Sequence, residues 1–237
     1  MERREFLRTV ALAGLASTFK FSDAMDILAQ SGKNVKTGAA YDLVAVMGGE
    51  PELMFRKAIT EMGGMSKFVK PGNKVVVKPN IGWDKVPELA GNTNPKLVKE
   101  IIAQCYKAGA AEVIVFDHTC DDWRKCYKNS GIEDAAKAAK AKVVPANEES
   151  YYREVDLPHG KNLRKTKIHN AILDCDVWIN VPILKHHGGA NLTISMKNHM
   201  GIVWDRGAFH KNDLHRHLYF QKTCCVECRR CLQGIEE

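Results

Sequence analysis

From Tyr41 onward, short apolar runs alternate with stretches of helical spacing. Tyr41–Met47 reads as a strand, and so does Lys74–Lys78, whose centre is the β-branched run Val75-Val76-Val77 and whose end is Pro79. Glu112–Phe116, Lys142–Val144 and Asp176–Val181 repeat that pattern, and Tyr151–Leu157 reads as an edge strand. Between them lie helical patterns. One carries Leu53, Met54, Ala58, Ile59 and Met62, and the next carries Leu97, Val98, Ile101, Ile102 and Cys105. Asn94-Pro95 opens the second helix with proline in its first turn, and Gly109 follows its end. Asp122–Tyr127 predicts a short helix, and Ser130 and Glu133 stand at capping-box spacing ahead of another that runs to Lys140. Lys167–Leu173 passes from extended to helical. Strands apolar on both faces, alternating with helices, predict an α/β domain over residues 41–213: a mostly parallel sheet with helices on both faces. No G-x-G-x-x-G follows a strand, so a dinucleotide fingerprint is not supported.

Residues 1–40 read differently. Arg3-Arg4, one polar residue, then Phe6-Leu7 and a basic residue match a twin-arginine export signal, and a mild apolar run rich in Ala and Gly follows from Thr9 to Phe19. The segment is expected to be a signal peptide and linker, read by the twin-arginine translocation machinery, with the domain delivered to the periplasm or the exterior. Such signals commonly accompany proteins that fold before export, often around a cofactor.

The formal net charge of +7 raises the question of nucleic acid. Lysines and arginines are interleaved with acids along the chain, and the aromatics of an RNA-binding surface are missing. A basic crevice for a small anionic molecule accounts for the charge without nucleic acid. No apolar run in the domain reaches the roughly 20 residues of a membrane span, so no transmembrane helix is expected in the mature domain.

Ligands of open parallel sheets gather at the carboxyl ends of the strands. Lys78 and Asn80 stand there after the second predicted strand, and Asp117 and His118 after the third. Lys185, His186 and His187 follow Asp176–Val181, and Lys197 and Asn198 lie shortly downstream. Lysines and asparagines suit an anionic ligand; His118 and His186, with Lys185, are the candidate catalytic groups because imidazole titrates near neutrality. Lys78, Asn80, Asp117, His187, Lys197 and Asn198 are the candidate binding residues.

The segments Val77-Lys78-Pro79-Asn80, Asp117-His118, Ile179–His187 and Ser195–Gly201 together resemble the family called domain of unknown function 362, over about Tyr41 to Asp213. The resemblance implies an α/β fold, export in some members and ferredoxin-like iron–sulfur segments in others, and no agreed activity. Residues 214–237 depart from it as a basic, cysteine-rich tail, expected to be atypical or truncated. Its Cys225-x2-Cys228-x2-Cys231 has the spacing that opens a bacterial ferredoxin run, a candidate for a metal ion or iron–sulfur cluster, without the usual fourth cysteine and proline. Three functions follow as expectations: binding or conversion of a small anionic compound at the strand ends, with or without a metal; electron transfer through the tail cysteines; and non-catalytic ligand binding after export.

Overall fold

The computed structural model describes residues 41–157, 163–188 and 191–211. The twin-arginine segment and the tail with Cys225, Cys228 and Cys231 lie outside these residues.

Four strands form the central sheet: β1 (Lys74–Pro79), β2 (Glu112–Val115), β3 (Lys142–Val143) and β6 (Val177–Val181). Their order is β3-β2-β1-β6 and every pairing is parallel, as the all-apolar strands predict. Val75, Val76 and Val77 are fully buried because β1 lies inside the sheet, with a packed layer on each face. Burial of that kind contributes about 1.5–3 kcal/mol per valine.

The two layers differ. Val75, Val77, Val113 and Val115 face α1 (Pro51–Glu61), α2 (Pro95–Lys107), α3 (Trp123–Asn129) and α4 (Ile132–Ala138). Asn94 caps α2 by accepting from Lys96 N at 2.9 Å, with Pro95 at the first turn, as expected. Arg56 of α1 grips Glu100 of α2 with two hydrogen bonds of 2.8 Å. Val76, Ile114 and Phe116 face the other way. Their cover is an antiparallel hairpin of β4 (Tyr152–Asp156) and β5 (Lys165–His169), the one-turn helix α5 (Asn170–Leu173) and the helical turn His199–Ile202. Helical segments thus lie against both faces, but the long helices are all on one.

Three local expectations are corrected. Tyr41–Met47 forms no strand. Tyr152–Asp156 is an edge strand, but of a separate two-stranded sheet in which it pairs antiparallel with β5, not of the central one. The capping box before α4 does not form: Gly131, at φ 70°, takes the N-cap position, and Ser130 Oγ instead accepts from Ile132 N at 3.3 Å. Only a residue at ease in the left-handed region fits that turn.

A third small sheet follows β6. β7 (Lys185–His187) and β8 (Asn191–Thr193) pair antiparallel, with Lys185 opposite Thr193 and His186 opposite Leu192. Then come α6 (Ser195–Asn198), the turn His199–Ile202 and α7 (Arg206–Lys211). Chain leaving β1 enters α2 on one face, whereas chain leaving β6 returns through Met200, Ile202 and Val203 on the other. The two adjacent strands therefore send their connections apart, which opens a crevice at their carboxyl ends.

Candidate functional site

The floor of that crevice is a buried polar clamp. Lys78, with no exposed surface, reaches Asp117 at 2.7 Å, the Pro79 carbonyl at 2.8 Å and Asn198 Oδ1 at 3.1 Å. Asp117 also accepts from Ile81 N at 2.6 Å, tying the loop after β1 to the end of β2. Asn198 spends both ends of its amide here. Its Oδ1 accepts from Lys78 and, at 3.0 Å, from Asn80; its Nδ2 donates to the Lys78 carbonyl at 3.2 Å and to Asn180 Oδ1 at 2.8 Å. Lys78 and Asn180 are register partners on β1 and β6, so one asparagine bridges the two strands at the switch point. Tyr127 of α3 holds Asp117 from behind: its hydroxyl accepts from Asp117 N at 2.7 Å and donates to Asp117 O at 2.9 Å.

Charge is balanced within this clamp. Burial pulls the Lys78 ammonium below the ordinary lysine value, and Asp117 opposes that pull. The packing leaves no slack: a Cβ on Gly201 would stand 1.8 Å from Asp117 Oδ1 and 2.7 Å from Lys78 Nζ. Gly201 O meanwhile accepts from His118 N at 3.0 Å. Glycine is needed here for close approach, not for an unusual turn.

Above the floor the charge is unbalanced. Lys185 is half-buried; its ammonium donates to Asn80 Oδ1 at 2.9 Å and the Gly91 carbonyl at 2.7 Å. Lys197 rests on the Met200 sulfur at 3.1 Å. Arg206 donates to the carbonyls of His118 (3.1 Å) and Thr119 (2.9 Å) and to the Cys120 thiol at 3.3 Å. Among the described residues, none of these three cations forms an ion pair with a carboxylate, while Asp117 is already committed to Lys78. Burial is the main cause that lowers the Lys185 and Lys197 pKa values; Lys197 and Lys78 depress Lys185 further, and Arg206 depresses Lys197.

The histidines divide. His118 Nδ1 lies 3.0 Å from the Val203 carbonyl, so Nδ1 carries the hydrogen and Nε2 keeps its lone pair in the neutral ring. Trp204 stacks on it with centroids 5.3 Å apart, and burial lowers its pKa. His186 is exposed on β7, and His187 is partly buried beside it; among the described residues, no group of three His, Cys, Asp or Glu side chains gathers as metal ligands. The structure thus joins Lys78, Asn80, Asp117, Lys185 and Asn198 in one hydrogen-bonded group and sets Lys197 and His118 around it. It leaves His186 on the outer face of the hairpin.

Sequence reasoning passed over Asn180, His199, Arg206 and Thr93. Thr93 Oγ1 accepts from Asn80 N and donates to Val181 O, both at 2.8 Å. Asn180 Nδ2 donates to His199 Nε2 at 2.7 Å, while Trp178 packs against the His199 ring at 4.6 Å. A lone asparagine in the otherwise apolar strand β6 was the available signal for Asn180. His199 is driven down to a pKa of about 4, first by burial and then by Lys78.

An α/β domain with an all-parallel central sheet and a lysine–aspartate–asparagine clamp at its switch point is therefore the class of protein defined by fold and site. The family model described as domain of unknown function (DUF362) matches residues 75–232, and the chain belongs to that family. A thylakoid-associated protein of Synechocystis sp. is 27% identical over 148 residues, which are 62% of this chain and 44% of that protein. The chain thus spans less than half the length of the relative it matches. No solved structure matches. No helix among the described residues is long and apolar enough to cross a membrane.

Two outcomes are expected from this geometry. Asp117→Asn strands a buried ammonium and should cost about 3–5 kcal/mol in urea denaturation. The double variant Lys78→Met/Asp117→Asn removes the stranded charge and should recover more than half of that loss. His199 supplies a pH dependence. Its folded pKa of about 4 lies below the ordinary 6.5, so the unfolded chain binds the proton first. Stability is then fully present above pH 6.5 and falls as the pH drops toward 4, by on the order of 3 kcal/mol. His118 and His169, also lowered by burial, add to the same slope. His199→Gln, which can still accept from Asn180, should flatten it in denaturation curves taken between pH 7 and pH 4.

Proposed function

We propose that this domain binds, and through His118 converts, a small anionic compound in the crevice at the carboxyl ends of β1, β2 and β6. The observation that carries the reading is the set of three cations, Lys185, Lys197 and Arg206, without a carboxylate partner among the described residues, over a floor whose own charges are matched. Half-buried cations with only neutral acceptors are poorly compensated, and a bound anion supplies the missing charge. Lys78 and Asp117 hold the floor in shape and do not face the ligand. Asn80 and Asn198 are positioning residues, since Asn80 aims the Lys185 ammonium and Asn198 fixes Asn80. His118 is the candidate proton acceptor, because its Nδ1–H is tied to a backbone carbonyl and its Nε2 is the basic atom.

The test is anion binding by calorimetry with inorganic phosphate and with acetate. Lys185→Met and Lys197→Met should each weaken binding about tenfold, the scale of one charged hydrogen bond, while shifting stability by less than about 1 kcal/mol. Undiminished binding in both variants would remove the crevice from consideration.

The location of the protein belongs to the same proposal. The Synechocystis relative carries a thylakoid association in its name. For this chain Arg3-Arg4 with Phe6-Leu7 supports export by the twin-arginine route, to the periplasm or beyond. Replacing both arginines by lysine should leave the precursor in the cytoplasm of a strain with a working twin-arginine system, as fractionation would read.

A further inference from the structure

Apart from Tyr41–Leu53, the large apolar side chains that stay exposed among the described residues are not scattered. They fall in two segments, the loop after β1 and the stretch Leu184–Met196 after β6. Lys185, at the crevice, links the two segments. Its ammonium bonds to Gly91 O and stands 5.8 Å from the centre of the Trp83 ring. The loop is a fixed wall, not a loose excursion. Buried Asn92 accepts from Trp83 N at 3.1 Å and donates to Trp83 O at 2.8 Å and Lys85 O at 3.3 Å, closing the loop on itself. Asn80 N bonding to Thr93 Oγ1 anchors its far end to β1. From this pinned loop Trp83, Val86 and Leu89 project with 41%, 46% and 62% of their surface exposed.

Keeping such side chains in water costs free energy that a polar loop would not lose, and clustered exposed apolar surface marks a binding face. Cations at the base and apolar side chains along the wall complement a molecule divided the same way. We infer that the ligand of the crevice is an amphipathic anion: an anionic head held at Lys185 and Lys197, with a hydrocarbon body lying along Trp83, Val86 and Leu89. The inference rests on the crevice being the anion site and specifies the class of compound that fills it. Inorganic anions and short acids lack the part that the wall would cover.

The probes are sodium acetate, sodium decanoate below its micelle-forming concentration, and decanol, titrated into the full chain by calorimetry. Decanoate should bind at least ten times more tightly than acetate, and decanol should bind more weakly than decanoate. The double variant Val86→Ser/Leu89→Ser changes only exposed positions. It should erase the preference for decanoate while leaving acetate binding unchanged. Equal affinity for acetate and decanoate would overturn the amphipathic class and leave the anion crevice standing. Decanol binding as tightly as decanoate would overturn the role of the anionic head, and a preference retained in the double variant would overturn the wall. Binding of neither acid would overturn both the class and the crevice itself. Capture of the chain by phosphatidylglycerol vesicles without binding of monomeric decanoate would overturn the inference in favour of a membrane-docking face.

Discussion

The organisation of the molecule turns on a single buried ion pair. Lys78 and Asp117 sit at the ends of adjacent strands with almost no access to water. Such a pair gains little net stability, because desolvation consumes most of the Coulombic attraction. Its value is geometric. The pair holds other segments in place: Asn198 from α6 and Ile81 from the loop after β1 by hydrogen bonds, and Gly201 by packing so closely that no side chain fits. The crevice has a defined shape because its floor admits one arrangement.

That constraint explains the division of labour above it. Charges in the floor are matched and inaccessible, whereas those on the walls are half-open and, among the described residues, have no carboxylate partner. Asn80 stands between the two, accepting from Lys185 on one side and donating to Asn198 on the other. A neutral amide in that position transmits orientation without adding charge beside the lysine above it. Arg206 does the same for the His118 loop, binding its carbonyls without a carboxylate partner among the described residues.

The sheet was legible in the sequence because its strands are apolar on both faces, a pattern that only a covered parallel sheet demands. Lys78, Asp117, Lys185 and Asn198 were legible because a parallel sheet says where to look. What could not be read was burial. Lys78 looks like any solvated strand-end lysine until Asp117, 39 positions later, is placed beside it. The hairpin β4–β5 was misplaced for a related reason: a half-exposed strand carries no mark of which sheet it joins, and its partner's register decided it. Tyr41–Met47 shows the reverse failure, an apolar run that finds no strand to pair with. Alternation along β7 turns His186 and His187 to opposite sides, as adjacent positions of any strand must.

The distance between Lys78 and Asn198 along the chain has a consequence for how the protein is made. The two residues are 120 positions apart, so the bond between them closes a very long loop. During synthesis β1, β2 and the helices beside them emerge and can pack while α6 is still unmade. In that interval the Lys78 ammonium has Asp117 but not its asparagine, and the edge that will become the crevice is open. Contacts of such high sequence separation form late and slowly. The switch point that forms the floor of the crevice can thus close only once α6 has been made.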